Sequence, residues 1–364
     1  MRAVTRFLHE YVRPDPARVR RVEVTYTRGQ ERLPATIYVP ARRPRPLPAF
    51  VVLHGLTCTA REHPGLVRFA RAMAAGGTLV MIPEIPEWRD LRVAPAITIP
   101  TIRAAVHALA ERTDVAPGGV GILGFSFGAT QALVAAAGNG LKGEVRGIAA
   151  WGGYRDVRRL FRFGITGEHE WEGVGEHMDP DPYGCWIMVG NYLTGIPGYG
   201  DAHATAAAVH SLAVEAGRTG TPSWEPTLDP MKARLRAGLP AAERPLFDVV
   251  APPVGAAVDR VEGARMAELL ATAALAADPL LDPGPYLQEL RTPTLLAHGR
   301  DDRLIPYSEM LRLERDLPAA ANRGGTVTGL FAHSGGTRRE LGRVGTVVEG
   351  VRFVRLLGRI LERL

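Results

Sequence analysis

Gly121-Ile122-Leu123-Gly124-Phe125-Ser126-Phe127-Gly128-Ala129-Thr130 decides how this chain is organised. The apolar run Val120 to Leu123 reads as a short buried strand, and the alanine-rich run from about Ala129 to Ala137 as a helix. Between them, Gly124-x-Ser126-x-Gly128 has the spacing of a sharp strand-to-helix turn with Ser126 at its apex. Such a turn holds its central residue at backbone angles few residues tolerate. Glycines two before and two after let neighbouring backbone pass without a Cβ clash. The Ser126 hydroxyl then stands at a helix N-terminus, where partial positive charge favours a developing anion. The same string also suits an ordinary turn with a helix-capping serine, so the rest of the chain must separate the two.

On both sides of the turn, strands alternate with helices. Val22, Val24 and Tyr26 alternate as in a strand, and Leu33 to Val39 reads as its hairpin partner. Ala49 to Leu53 is apolar throughout, as expected of a strand buried on both faces, and Thr78 to Ile82 reads as another buried strand. Helices are expected from about Gly65 to Ala75 and from about Pro100 to Arg112. After the turn come a strand from Val145 to Trp151, then Thr292 to Ala297, a helix from Tyr307 to Leu317, and a strand from Thr326 to Phe331. The last helix carries Val347, Val351, Val354, Leu357, Leu361 and Leu364 at helical spacing, and a short amphipathic helix with Val4, Phe7, Leu8 and Tyr11 on one face opens the chain. This pattern predicts a mostly parallel sheet of eight strands with helices on both faces, the hairpin adding antiparallel edge strands. Ligands of such sheets bind at the carboxyl ends of the strands.

At 364 residues, 46% hydrophobic and 23% charged, the chain has the composition of a globular protein of roughly two domains. No apolar run reaches about 18 residues, so no membrane span is expected. The N-terminus lacks the apolar core of a signal peptide. The two cysteines, Cys58 and Cys185, form no disulfide framework and fit a reducing, cytoplasmic setting. The net charge of +6 is spread as arginine, without a long basic block or aromatic interleaving, which argues against a nucleic-acid partner.

Three further stretches end predicted strands. In His54-Gly55-Leu56-Thr57 a loop can supply a backbone N–H to an oxyanion. Acyl transfer calls for two such donors: the amide of Phe127, just after the serine, and that of Leu56, with Thr57 as second choice. His54 itself reads as structural. In His298-Gly299-Arg300-Asp301-Asp302 a carboxylate can orient a catalytic imidazole. Asp302 is favoured over Asp301, and Asp156, after the preceding core strand, is the alternative. His333 is the one histidine that follows Asp302, and it ends the last predicted strand in a glycine-rich loop. Ser126, Asp302 and His333 thus stand in the order expected of this turn.

With these four landmarks the chain resembles the α/β-hydrolase superfamily over about Arg21 to Trp151 and Thr292 to Leu364. It is also similar to dienelactone-hydrolase-like and esterase-like members. True dienelactone hydrolases usually have a nucleophilic cysteine, and Ser126 stands there instead. The resemblance implies Ser126 as nucleophile, His333 as general base then acid, and Asp302 as orienter. It implies a serine hydrolase acting on a small-molecule carboxylic ester, with no cofactor or metal. An acyltransferase, thioesterase, amidase or peptidase with the same triad is the alternative, and a non-catalytic binding protein of the same fold a further one.

Residues 1–152 and 291–364 are expected to form the core, and 153–290 a mainly helical cap inserted before the penultimate strand. Helices are expected there at Cys185 to Leu193, His203 to Ala216, Met231 to Ala237 and Ala256 to Ala276. Trp171, Tyr183, Trp186, Tyr192, Tyr199 and Trp224 supply aromatic surface, most of it as the cap's own core. His169 and His177 with Glu168, Glu170, Glu172 and Glu176 read as a solvated acidic loop rather than a metal site. Glu84 and Trp88 are placed at the border of the pocket.

Overall fold

The computed structural model describes residues 2–138, 140–256, 259–330 and 343–363. Its strands are β1 (Val19–Arg28), β2 (Glu31–Pro40), β3 (Ala49–Leu53), β4 (Leu79–Pro83), β5 (Val120–Phe125), β6 (Val145–Trp151), β7 (Glu168–Trp171), β8 (Val174–His177), β9 (Thr294–Gly299) and β10 (Asn322–Thr328). Eight of them form one sheet in the order β1-β2-β4-β3-β5-β6-β9-β10, and β7 and β8 pair as a separate hairpin. Among the described strands of the large sheet, β2 alone runs against the rest. The leading hairpin therefore contributes one antiparallel strand, and β1 at the edge again runs with the parallel set.

Successive residues of a strand face opposite layers, and the central strands are apolar on both sides. Phe50 and Val52 of β3 pack with Phe7, Phe69, Met73, Leu357 and Ile360 on one face. Val51 and Leu53 pack with Ile102, Leu109 and Leu133 on the other. The first face is covered by the helices Arg2–Val12, Pro64–Gly76 and Arg343–Arg363, the second by Pro95–Ala110 and Phe127–Ala136. Each such side chain removed from water contributes roughly 1.5–3 kcal/mol.

Several elements differ from the sequence expectation. The helix expected to start at Pro100 begins at Pro95, and Pro100 sits inside it. β10 lies earlier than the apolar run Thr326 to Phe331 predicts, because its register against β9 begins at the Asn322–Thr294 pair and a bulge carries it past two glycines; Phe331 lies outside the described residues. In the C-terminal helix Leu356, Leu357 and Ile360 are buried, whereas Val347 and Val351 are exposed. Leu364 lies outside the described residues.

Between β6 and β9 the chain builds a largely helical layer: Val157–Thr166, Pro182–Tyr192, His203–Thr219, Asp229–Gly238, Arg244–Val250 and Arg260–Ala277. Val157–Thr166 packs on Arg260–Ala277, and Pro182–Tyr192 on His203–Thr219. Val157–Thr166 and Arg244–Val250 were not anticipated. In the former, Val157, Leu160, Phe161 and Ile165 make an apolar face behind Arg158, Arg159 and Arg162. The expected acidic loop is instead the β7–β8 hairpin, packed on the helix Tyr307–Asp316. His169 packs there edge-on against the rings of Phe163 and Tyr307, and the guanidinium groups of Arg312 and Arg315 both lie over the Trp171 ring.

Candidate active site

β5 ends in the middle of the sheet, and the chain turns at Ser126 into the helix Phe127–Ala136. Ser126 has φ 58° and ψ −131°, a region that costs a non-glycine residue about 1–3 kcal/mol. Its side chain makes no capping bond to the helix, unlike an ordinary capping serine. The strained residue is clamped: its N–H donates to the Trp151 carbonyl at 2.8 Å, and its own carbonyl accepts from Ala129 N at 2.9 Å. The flanking glycines are required by close approach. A Cβ on Gly124 would sit 2.4 Å from the Gly128 oxygen, and one on Gly128 would sit 2.3 Å from the His54 oxygen.

The second contact brings the loop after β3 against the turn. The place of a Cβ on Gly55 is 2.9 Å from Ser126 Cβ and 3.2 Å from its Oγ. Two consecutive peptide units of that loop are pinned. Nδ1 of His54 donates to the Gly55 carbonyl at 2.6 Å, which fixes the unit carrying the Leu56 N–H. The Leu56 carbonyl accepts from the Tyr183 hydroxyl at 3.1 Å, and the Thr57 N–H donates to the Trp88 carbonyl at 3.2 Å. The Thr57 amide is therefore engaged. Among the described residues, the amides of Leu56 and Phe127 donate to no protein acceptor. Burial lowers the His54 pKa to about 4, so its ring is neutral and offers one N–H. Burial pushes the Tyr183 phenol well up, which keeps it a donor.

Asp302 lies on the loop after β9 and is fully buried. Its Oδ1 accepts from the amides of Leu304 and Ile305, each at 3.0 Å. Its Oδ2 is 3.5 Å from Nε2 of His298, which itself donates to the Ile305 carbonyl at 2.8 Å. Asp301 is partly exposed. Asp156 is occupied as a helix cap, its Oδ1 accepting from the amides of Arg158 and Arg159. His333 lies outside the described residues.

Ser126 opens on a cavity of about 800 Å³. Its walls include Leu160, Phe161 and Ile165 from one helix, and Cys185, Ile187 and Met188 from the next. Leu304 and Ile305, whose amides hold Asp302, turn their side chains to the same space. Of the aromatics in the inserted stretch, Tyr183 and Trp224 line the cavity, and Trp186 and Tyr192 are buried in the core, as expected of most of them. Glu84 and Trp88 are not on the wall. Both are buried, and Glu84 is held by Arg61 and Arg89. Both cysteines are free thiols; Cys185 is pushed up to about 12 by burial. Among the described residues, no group of three histidine, cysteine or acidic side chains is placed to hold a metal ion, and no helix is long and apolar enough to cross a membrane.

The bond from Tyr183 to Leu56 was not legible in the sequence beyond the presence of an aromatic residue at that position. A second tie is of the same kind. The amide of Asp181 donates to the Arg303 carbonyl at 2.7 Å, and Nε of Arg303 donates to the Asp179 carbonyl at 2.7 Å. Residues 179–183 thus reach both the loop of Leu56 and the loop of Asp302.

No protein-family model matches the chain, and no curated protein matches it in sequence. Solved structures do. The acylaminoacyl peptidase of Pyrococcus horikoshii is similar with a TM-score of 0.51 at 12% identity, over 98% of this chain and 44% of that one. A bacterial brefeldin A esterase, described as a homologue of human hormone sensitive lipase, is similar with a TM-score of 0.50 at 15% identity, over 99% of this chain and 83% of that one. This chain has the α/β-hydrolase fold. In that sheet the turn at Ser126 follows the central strand β5, and the loop after β3 lies against it.

Proposed function

We propose that the chain is a serine hydrolase that cleaves carboxylic esters through Ser126, His333 and Asp302. The observation that carries this reading is the strained Ser126 beside Gly55, with the amides of Leu56 and Phe127 unspent. An ordinary turn needs neither the strain nor the unspent donors. His333 takes the Oγ proton as Ser126 attacks the ester carbonyl. The oxyanion that forms is held by the amides of Leu56 and Phe127. The alcohol leaves with the proton from His333, and an acyl-enzyme remains. Water, deprotonated by His333, attacks the acyl carbon; the acid departs and Oγ regains its proton. Asp302 holds the imidazole in the productive tautomer. Residues 153–290 act as a cap that excludes water and shapes the pocket.

Labelling with a fluorophosphonate probe tests the reading, wild type beside Ser126→Ala, with p-nitrophenyl esters assayed in parallel. Labelling and ester turnover that both require Ser126 are expected. Folded wild-type protein that neither labels nor turns over an ester would overturn it.

A further inference from the structure

Three helices of the inserted layer wall the cavity over Ser126, and each presents a glycine to it. Gly164 comes from Val157–Thr166, Gly184 from Pro182–Tyr192 and Gly217 from His203–Thr219. None is glycine for the sake of its backbone, since all three lie within α-helix and none has a positive φ. Glycine is a poor helix residue, so its use at three such places calls for another cause.

Close helix packing is not that cause. A Cβ on Gly164 would have only Cys185 Cβ within 4 Å, at 4.0 Å. One on Gly184 would meet only the tip of the Leu304 side chain, at 3.3 Å. One on Gly217 would meet the Tyr183 hydroxyl at 3.3 Å and Cys58 Sγ at 3.5 Å. Cys185, Leu304 and Tyr183 are themselves part of the cavity wall. Gly190, on the same helix as Gly184, makes the contrast. Its Cβ would sit 3.2 Å from His210 Cβ and 3.5 Å from the Ala206 oxygen of the neighbouring helix, so there the glycine serves helix contact. At Gly164 and Gly184 the missing side chains leave room in the cavity, and at Gly217 the missing Cβ leaves room for the Tyr183 hydroxyl on its wall. Because these glycines come from three helices, the room is broad rather than a narrow slot.

Among the described residues the wall also offers little to a charge, and His63 on it accepts from the Leu66 amide at 3.4 Å. Asp181 is occupied at the start of its helix, where it accepts from the amide of Tyr183 and the hydroxyl of Ser223. Arg218 is turned to Glu215, which it grips with Nε and a terminal nitrogen. His54 is held neutral by burial. A carboxylate or ammonium entering this space would lose its hydration without a partner, whereas a hydrocarbon group gains by leaving water.

We propose that Gly164, Gly184 and Gly217 are specificity-determining residues that keep open an uncharged chamber for a bulky hydrocarbon group, branched or cyclic, on a neutral ester. This rests on Ser126 being an esterase nucleophile. A leucine at Gly164 or Gly184 fills the chamber from its wall, and the bulky group is then excluded while a small acyl group still has space.

The test compares kcat/KM for p-nitrophenyl acetate, cyclohexanecarboxylate and hemisuccinate in wild type, Gly164→Leu and Gly184→Leu. Gly164→Ala serves as a milder variant. Gly238→Leu, on an exposed helix end where a Cβ meets nothing within 4 Å, is the control. The wild type is expected to prefer the cyclohexanecarboxylate over the anionic hemisuccinate by at least about tenfold. The ratio of cyclohexanecarboxylate to acetate is expected to fall at least about tenfold in each leucine variant, less in Gly164→Ala, and to hold in Gly238→Leu. An unchanged ratio in both leucine variants, or hemisuccinate turned over as well as the neutral ester, overturns the proposal. Failure of the esterase reading shows differently, as a wild type that turns over no ester and takes no fluorophosphonate label. The chamber is then read by fluorescence of the neutral probe N-phenyl-1-naphthylamine. Binding weakened by Gly164→Leu sustains the chamber, and no binding, or equal binding by both proteins, overturns it.

Discussion

The hydroxyl of Tyr183, on a helix of the inserted layer, donates to the carbonyl of Leu56 at 3.1 Å. That carbonyl lies one peptide unit beyond the N–H proposed to hold the oxyanion, so the layer over the cavity and the floor beneath it share a bond. Tyr183→Phe keeps the ring on the wall and removes only the bond. One hydrogen bond contributes about 0.5–1.5 kcal/mol net, so kcat for a small ester is expected to fall roughly threefold to tenfold while KM barely moves. Steady-state kinetics over a full substrate range check this. A rise in KM with kcat intact would make Tyr183 a packing residue alone.

The strain at Ser126 makes a prediction about stability. Glycine adopts φ 58°, ψ −131° at little steric cost, and alanine does not. Ser126→Gly is expected to raise the unfolding free energy by about 1 kcal/mol over Ser126→Ala, though both lose fluorophosphonate labelling. Parallel urea denaturation curves measure the difference.

Three carboxylates compete for the role of orienting the imidazole, and their surroundings separate them. Asp302→Asn is expected to lower kcat by about 10⁴ through the wrong imidazole tautomer. Asp301→Asn and Asp156→Asn should leave kcat within about twofold, since asparagine also caps a helix. Full activity in Asp302→Asn together with its loss in Asp156→Asn would move the acid to the end of β6.

Glu309 gives a pH dependence. It is buried, and its carboxylate accepts from the amides of Arg155 and Asp156 at 2.9 and 2.8 Å. Burial raises its pKa from 4.5 to about 7, against the pull of those amides and of Arg312. A raised carboxyl pKa means the folded state binds the proton more tightly than the unfolded chain. Stability from this group is therefore complete below about pH 4.5 and is lost as pH rises towards 7, with a magnitude of about 3 kcal/mol. Glu309→Gln keeps an acceptor and removes the titration. The stability of the wild type relative to this variant should fall between about pH 4.5 and 7. A flat difference would place the Glu309 pKa near its ordinary value.

The parts of the site that sequence made legible are those set by local spacing. Ser126 lies within a single ten-residue stretch, and His54-Gly55 and His298-Gly299 mark strand ends by composition alone. Asp302 was preferred over its neighbour Asp301 by its offset from His298, and it is Asp302 that is buried. What escaped depends on distant partners. Tyr183 meets Leu56 across 127 positions of the chain. The β7–β8 hairpin looked like a solvated loop because its stabilising contacts, from Arg312 to Trp171 and from Tyr307 to His169, arrive from a helix far along the chain. The start of β10 at Asn322 is imposed by β9 rather than by its own polar, glycine-containing sequence.

The uncharged wall of the cavity bears on the end of the reaction as much as on its beginning. The proposed hydrolysis converts a neutral ester into a carboxylate in a space where, among the described residues, Arg218 is already held by Glu215. Away from the amides of Leu56 and Phe127 the described wall gives an anion little to bind, and a buried anion without a partner is expensive, so the wall does not retain the proposed acid product. On the proposed esterase reading, release of the acid is favoured and accumulated acid is expected to compete poorly with fresh ester for re-entry.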